Sequence, residues 1–126
     1  MIYLDTHVAA WLYAGRTDLI PRKTRRLLDA EDLFLSPMAV LELQYLYEVG
    51  RTDRPADPVV ASLSRSVGLR VCDRPFPLLI QVAVRERWTG DPFDRVIVGH
   101  ARFAEAALVT KDRRIRSHYA RAVWGR

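Results

Sequence analysis

The chain has 126 residues, 49% of them hydrophobic, a formal net charge of +5 and one cysteine, Cys72. That length supports a single core without disulfides, so one domain over 1–126 is expected, and a lone thiol excludes an internal disulfide or a cysteine-based metal cluster. No apolar stretch approaches the ~20 residues of a membrane span, and Met-Ile-Tyr-Leu-Asp lacks the basic start and long apolar core of a signal peptide, so a cytoplasmic protein with no membrane partner is expected.

Met1–Leu4 reads as a short buried strand, followed by a helix over 7–14 capped by Asp5 or Thr6 and stopped at Gly15. A second helix spans 21–30 with Pro21 near its first turn, and Leu33–Leu35 forms a second strand. Ser36-Pro37 opens a third helix ending at Gly50, because Ser at the N-cap with Pro next is a strong start signal. Asp57-Pro58 and Asp91-Pro92 repeat the device, opening helices of about 58–67 and 92–106. Between them lie a strand at Leu69–Cys72 and a helix over 77–87; Ala107–Thr110 is a fourth strand. Asp112 caps a short last helix before a closing edge strand at Ala122–Trp124. Alternating strands and helices predict an α/β fold: a central, mostly parallel sheet of four to five strands flanked by helices.

Four carboxylates carry the functional signal. Asp5 follows the first strand and Asp112 stands two residues beyond Thr110, at the end of the fourth. Asp91 and Asp94 are three apart in one helical turn, so both can face one point. Glu42 shares helical spacing with Met38, Leu41, Tyr45, Leu46 and Val49, which predicts that it points inward with them. An ionised carboxylate is costly in the interior unless a positive charge meets it. Capping explains Asp5, Asp91 and Asp112 singly, and a capping box or the helix dipole explains Asp94; a helix interior offers Glu42 no such role.

Ligands of parallel α/β folds bind beyond the carboxyl ends of the strands, where chain order allows these acids to meet. An oxygen-only set selects Mg²⁺ or Mn²⁺ and suits phosphoryl transfer. No Gly-rich phosphate loop is present, Ser66-Val67-Gly68 lacks the nucleophile-elbow pattern, and His7, His100 and His118 fit no zinc spacing.

Ile2-Tyr3-Leu4-Asp5-Thr6-His7, Ser36 with Glu42, Asp91-Pro92-Phe93-Asp94-Arg95 and Leu108-Val109-Thr110-Lys111-Asp112 together resemble the PIN-domain ribonucleases, specifically the VapC toxins of type II toxin–antitoxin pairs. The resemblance spans nearly the whole chain. It implies a metal-dependent endoribonuclease in which Asp5, Glu42, Asp94 and Asp112 hold Mg²⁺ or Mn²⁺ and activate water to hydrolyse an RNA phosphodiester. Thr6, Ser36 and Thr110 would orient acids or bound waters, and Asp91 would assist or only cap. It also implies a homodimer and a VapB-like antitoxin whose tail plugs the acidic groove, with an arginine replacing the metal's charge.

Such a pocket needs flanking cations to hold RNA. All basic residues except Lys23 and Lys111 are arginine, whose fork binds phosphate bidentately. Arg22, Lys23 and Arg26 form one candidate face, and Arg95, Lys111 and Arg113 lie near the acids in sequence. Trp11, Tyr13 and Trp88 could stack bases, but core or dimer contacts are the favoured explanation of all three. A non-catalytic PIN-like module binding RNA or protein is the alternative, and it would be expected to lack an acid of the set. An aspartyl-nucleophile phosphohydrolase would need a second acid two residues after Asp5, and His7 stands there. A receiver-like acidic pocket would have only Lys111 as its late lysine.

Overall fold

A computed structural model describes residues 1–125. The sheet has five strands, all parallel, in the order β3-β2-β1-β4-β5: β1 (Ile2–Leu4), β2 (Leu33–Leu35), β3 (Arg70–Val71), β4 (Ala107–Val109) and β5 (Ala122–Val123). Seven helices connect them: α1 (Thr6–Ala14), α2 (Arg22–Ala30), α3 (Pro37–Glu48), α4 (Ala56–Val67), α5 (Phe76–Ala83), α6 (Pro92–Phe103) and α7 (Arg113–His118). A 3-10 turn over Thr17–Leu19, not foreseen in the sequence, joins α1 to α2.

The central strand is fully buried, whereas the outer strands β3 and β5 are exposed or partly buried. Ile2, Tyr3 and Leu4 are all at most 3% exposed, as befits a central strand covered on both faces. From β1 the chain winds through β2 to β3, then returns past β1 to β4 and β5. Right-handed crossovers place the helices before β3 on one face and those after it on the other. The reversal makes the carboxyl ends of β1 and β4 a topological switch point, where doubly wound sheets bind ligands. Leu4 pairs with Val109 there, and the Asp5 N–H donates to the Val109 carbonyl at 2.9 Å.

Several boundaries shift for identifiable reasons. Asp57 does not cap α4; the helix begins at Ala56 after Pro55, and Pro58 is accommodated because the first turn's N–H groups need no helical acceptor. α6 stops at Phe103 rather than 106, since Glu105 turns to a positive φ of 52°. α5 starts at Phe76 and ends at Ala83, where Arg95 donates to the carbonyls of Ala83 and Val84 at 3.2 and 3.0 Å. Those bonds add side-chain donors to the carbonyls at a helix end, where Ala83 also accepts from the Glu86 N–H.

The face of α3 is the main correction. Ala39 and Leu43 enter the core, whereas Leu41, Tyr45 and Val49 are each about half exposed. Glu42 is therefore half-buried at the margin of the core rather than in the middle of an inward stripe. Across the chain, no helix among the described residues is long and apolar enough to cross a membrane.

Candidate active site

The switch point gathers the acids by means of caps. Asp5 caps α1, its Oδ1 accepting from the Thr6 N–H at 2.8 Å. Asp91 caps α6, with Oδ1 accepting from the N–H groups of Phe93 at 2.8 Å and Asp94 at 3.4 Å. Asp112 caps α7, with Oδ1 accepting from Arg114 at 2.8 Å and Ile115 at 3.1 Å. In Asp91 and Asp112 the cap uses a single oxygen, and Oδ2 makes no hydrogen bond among the described residues. Capping and site chemistry are thus compatible: the cap fixes each side chain's rotamer and leaves one oxygen available.

Two threonines tie the acids together. Thr110 is fully buried; its hydroxyl donates to Asp5 Oδ2 at 2.6 Å and accepts from the Asp112 N–H at 3.0 Å, bridging the ends of β1 and β4. The Thr6 hydroxyl donates to Glu42 Oε1 at 2.5 Å, joining α1 to α3. Ser36 takes a different place. Its hydroxyl accepts from the Met38 N–H at 3.1 Å and meets buried His100 Nδ1 at 2.8 Å, so it fixes the start of α3 and does not bond to the acids. Ser36→Ala is expected to cost about 1–2 kcal/mol, the usual value of a good N-cap. Thermal denaturation checks it, and activity per folded molecule is expected to be kept.

Electrostatics record how close the acids stand. Burial, then Asp5, Asp91, Asp112 and Glu42 in that order, push the Asp94 carboxyl up to about 7. Burial also raises Glu42; the Thr6 hydrogen bond opposes this, and Asp5 and Asp91 add to it. Like charges in one partly desolvated pocket give this pattern. No three His, Cys, Asp or Glu side chains among the described residues are already drawn into a ligand set. That spacing is physically reasonable for carboxylates that repel one another, and an oxygen-only donor set fits a hard divalent cation.

His7, which fits no zinc spacing in the sequence, adds a contact at the same place. Its Nε2 accepts the Lys111 N–H at 3.0 Å and its Nδ1 lies 3.5 Å from Asp5 Oδ2, so it braces the same two strand ends. The only sequence signal was its position directly after Asp5-Thr6. Of the six basic residues expected near RNA, Lys111 and Arg113 line a cavity beside Asp112, while Lys23 and Arg26 line another beside β5. Arg22 is exposed at the start of α2. Arg95 directs two of its donors to the carbonyls at the end of α5. Trp88 is also committed elsewhere: it stacks on His118 at 5.0 Å and donates to Glu86, whose carboxylate pairs with Arg102.

The fold and acid pattern define an α/β domain with a carboxylate-rich switch point, and comparison with known proteins specifies it. The PIN domain family model matches residues 2–120. Ribonuclease VapC22 of Mycobacterium tuberculosis is 34% identical over 123 residues, covering 93% of this chain and 91% of that protein. The chain belongs to the PIN domain family. Two solved structures share the fold at lower identity. VapBC2 from Rickettsia felis bound to a promoter DNA fragment matches with a TM-score of 0.64 at 19% identity, over 99% of this chain and 100% of that one. FitAB bound to an IR36 DNA fragment matches with a TM-score of 0.51 at 20% identity, over 89% and 85%.

Proposed function

We propose that this chain is a divalent-metal-dependent endoribonuclease of the VapC toxin type, with Asp5, Glu42, Asp94 and Asp112 as its metal-holding acids. The observation that carries the reading is the meeting of these acids at the ends of β1 and β4, where Thr110 links Asp5 to the Asp112 backbone and Thr6 holds Glu42, with the Asp94 carboxyl pushed up to about 7 by burial and by Asp5, Asp91, Asp112 and Glu42. A protein gains nothing in stability from such a cluster, so it is best understood through the cation it attracts. The PIN-domain ribonucleases are generally divalent-metal dependent, and the oxygen-only set here suits Mg²⁺ or Mn²⁺.

The four acids would hold the ion, with Asp91 capping α6 beside them. When bound, the ion lowers the pKa of water to supply a nucleophile and stabilises the leaving oxygen of the phosphodiester. The chain's own residues prepare the pocket for that chemistry. Thr110 fixes Asp5 and the Asp112 backbone, and Thr6 fixes Glu42. With its carboxyl pushed up to about 7, Asp94 is partly protonated near neutral pH, and its ionised form would be the one to hold the ion. Lys111 and Arg113 offset the acidic charge toward an approaching phosphate.

The whole chain acts as one domain in this reading, restrained by a VapB-like antitoxin and paired as a homodimer in the cytoplasm. Leu41, Tyr45 and Val49 on α3 and Phe76, Ile80 and Val84 on α5, each 36% or more exposed, support pairing, because large exposed apolar sets mark interaction surfaces. The test is cleavage of a total RNA pool by purified protein with Mg²⁺ or Mn²⁺, against EDTA and Asp5→Asn. Cutting that EDTA and the variant both abolish is expected. RNA bound but left intact by well-folded protein would favour a non-catalytic module.

A further inference from the structure

His7, Trp11 and Trp124 come from opposite ends of the chain and meet beside the acids. His7 and Trp11 lie 5.0 Å apart, Trp11 and Trp124 6.1 Å, and His7 and Trp124 6.3 Å, with interplanar angles of 51–72°. Rings tilted in this way pack edge against face rather than in parallel stacks, so none of the three is covered by a parallel neighbour. All three are only partly buried. The Lys111 ammonium lies 5.8 Å above the Trp11 ring, at the outer limit of a cation–π contact, so charge can reach that face.

Two cavities adjoin these rings. One, of about 520 Å³, is lined by His7, Trp11, Lys111, Asp112 and Arg113, and so opens next to a member of the acidic set. The other, of about 640 Å³, lies between α2 and β5, where Trp124 faces Lys23 and Arg26. Trp124 lines the second cavity and touches both aromatic residues of the first. A basic, aromatic surface therefore runs from Asp112 past Lys111 and Arg113, across Trp11 and Trp124, to Lys23 and Arg26. Neither Lys111 nor Arg113 forms an ion pair among the described residues.

We infer that Trp11 and Trp124 form a base-stacking shelf for single-stranded RNA next to the cleavage site, with the flanking cations following its phosphates. The inference rests on the ribonuclease reading above and goes beyond it by naming where bases are held. Stacking platforms between cationic residues are how proteins grip single strands, because every base presents a π-face. The cations favour RNA over an apolar protein segment as occupant. The site would select unpaired nucleotides without reading a particular base through hydrogen bonds.

The test measures binding of a labelled mixed-sequence single-stranded RNA of about ten nucleotides. Ca²⁺ replaces Mg²⁺ because its looser coordination suits binding without the geometry that cleavage needs. A matched RNA with abasic residues throughout its centre serves as the comparison. The unmodified protein is expected to prefer the base-bearing RNA about 10-fold or more, as one or two stacked bases provide. Trp11→Leu and Trp124→Leu are expected to lose most of that preference, whereas Lys111→Ala and Arg113→Ala weaken both RNAs alike. If the leucine variants do not fold, the abasic comparison on unmodified protein still decides, and equal affinity for the two RNAs overturns the shelf. Folded variants that keep the preference overturn it too. If they keep it but escape inhibition by a co-expressed antitoxin, the surface belongs to that protein. Metal-dependent cutting with an unchanged preference would sink the shelf alone; neither binding nor cutting by unmodified protein would sink the ribonuclease reading beneath it.

Discussion

Asp94→Asn is expected to abolish RNA cleavage while making the metal-free protein more stable at pH 8. The Asp94 carboxyl makes no side-chain hydrogen bond among the described residues, so the amide breaks none, and the Asp94 N–H bond to the Asp91 cap is retained. What it removes is a negative charge held among four others. The sign follows from proton binding. Folded Asp94 keeps its proton to about pH 7, whereas the unfolded chain releases it near 4, so raising pH through that window costs folded-state stability. The variant is spared that cost. After discounting for solvent screening of a half-buried group, the gain at pH 8 is on the order of 1–2 kcal/mol. It corresponds to a Tm rise of about 4–8 °C and should vanish by pH 4. Activity should fall by more than about 100-fold, beyond the cost of losing an outer partner. Paired melts at pH 8 and pH 4 in EDTA check the stability claim. A lower Tm at pH 8 would instead make Asp94 a structural residue of α6.

Thr110→Val should damage the site with almost no change of shape. Valine keeps the β-branched outline that suits a strand end and deletes only the hydroxyl. Asp5 Oδ2 then loses its donor at 2.6 Å, and the Asp112 N–H loses its acceptor at 3.0 Å. A buried polar group left without a partner costs about 1–3 kcal/mol, so Tm should fall. The larger effect is on chemistry, because two of the acids lose their common anchor. A drop in kcat/KM of about 10–100-fold is expected, with Thr110→Ser restoring most of it. Serine that fails to rescue would mean the methyl's packing, not the hydroxyl, matters at this position.

Much of this arrangement was legible in the sequence because local chemistry marks it. Asp5, Ser36, Asp91 and Asp112 each cap a helix as their positions suggested, and Gly15 ends α1 in the left-handed region at φ 72°. Strands as brief as Ile2–Leu4 were detectable because full burial makes them continuous apolar runs. The face of α3 was not legible. Met38 to Val49 is apolar around most of the helix, so periodicity does not distinguish Ala39 and Leu43, which enter the core, from Leu41 and Tyr45, which leave it. Tyr45 instead stacks on Phe93 of α6, 5.9 Å away. Glu42 was singled out for a burial that is only partial, yet the structure sets it against Thr6 within the charge field of Asp5 and Asp91. Arg95 was placed by proximity in sequence, and its bonds to the end of α5 were not legible there; Trp88 makes the kind of packing contact that was favoured for it. The meeting of Trp11 with Trp124 depends wholly on β5 joining the sheet beside β4, which no local pattern could reveal.

Calorimetric titration of the purified protein with Mn²⁺ at pH 6, repeated in buffers of different ionisation enthalpy, tests most directly whether these acids share one cation. Binding should release close to one proton per ion at pH 6, because Asp94 must give up the proton that burial and its neighbours let it keep, and the release should fade by pH 8.5. Asp94→Asn should lose both the tight binding and the proton release. Absence of Mn²⁺ binding, or binding with no proton release and equal affinity in the variant, would show that the carboxylates at the ends of β1 and β4 do not act together as a metal site.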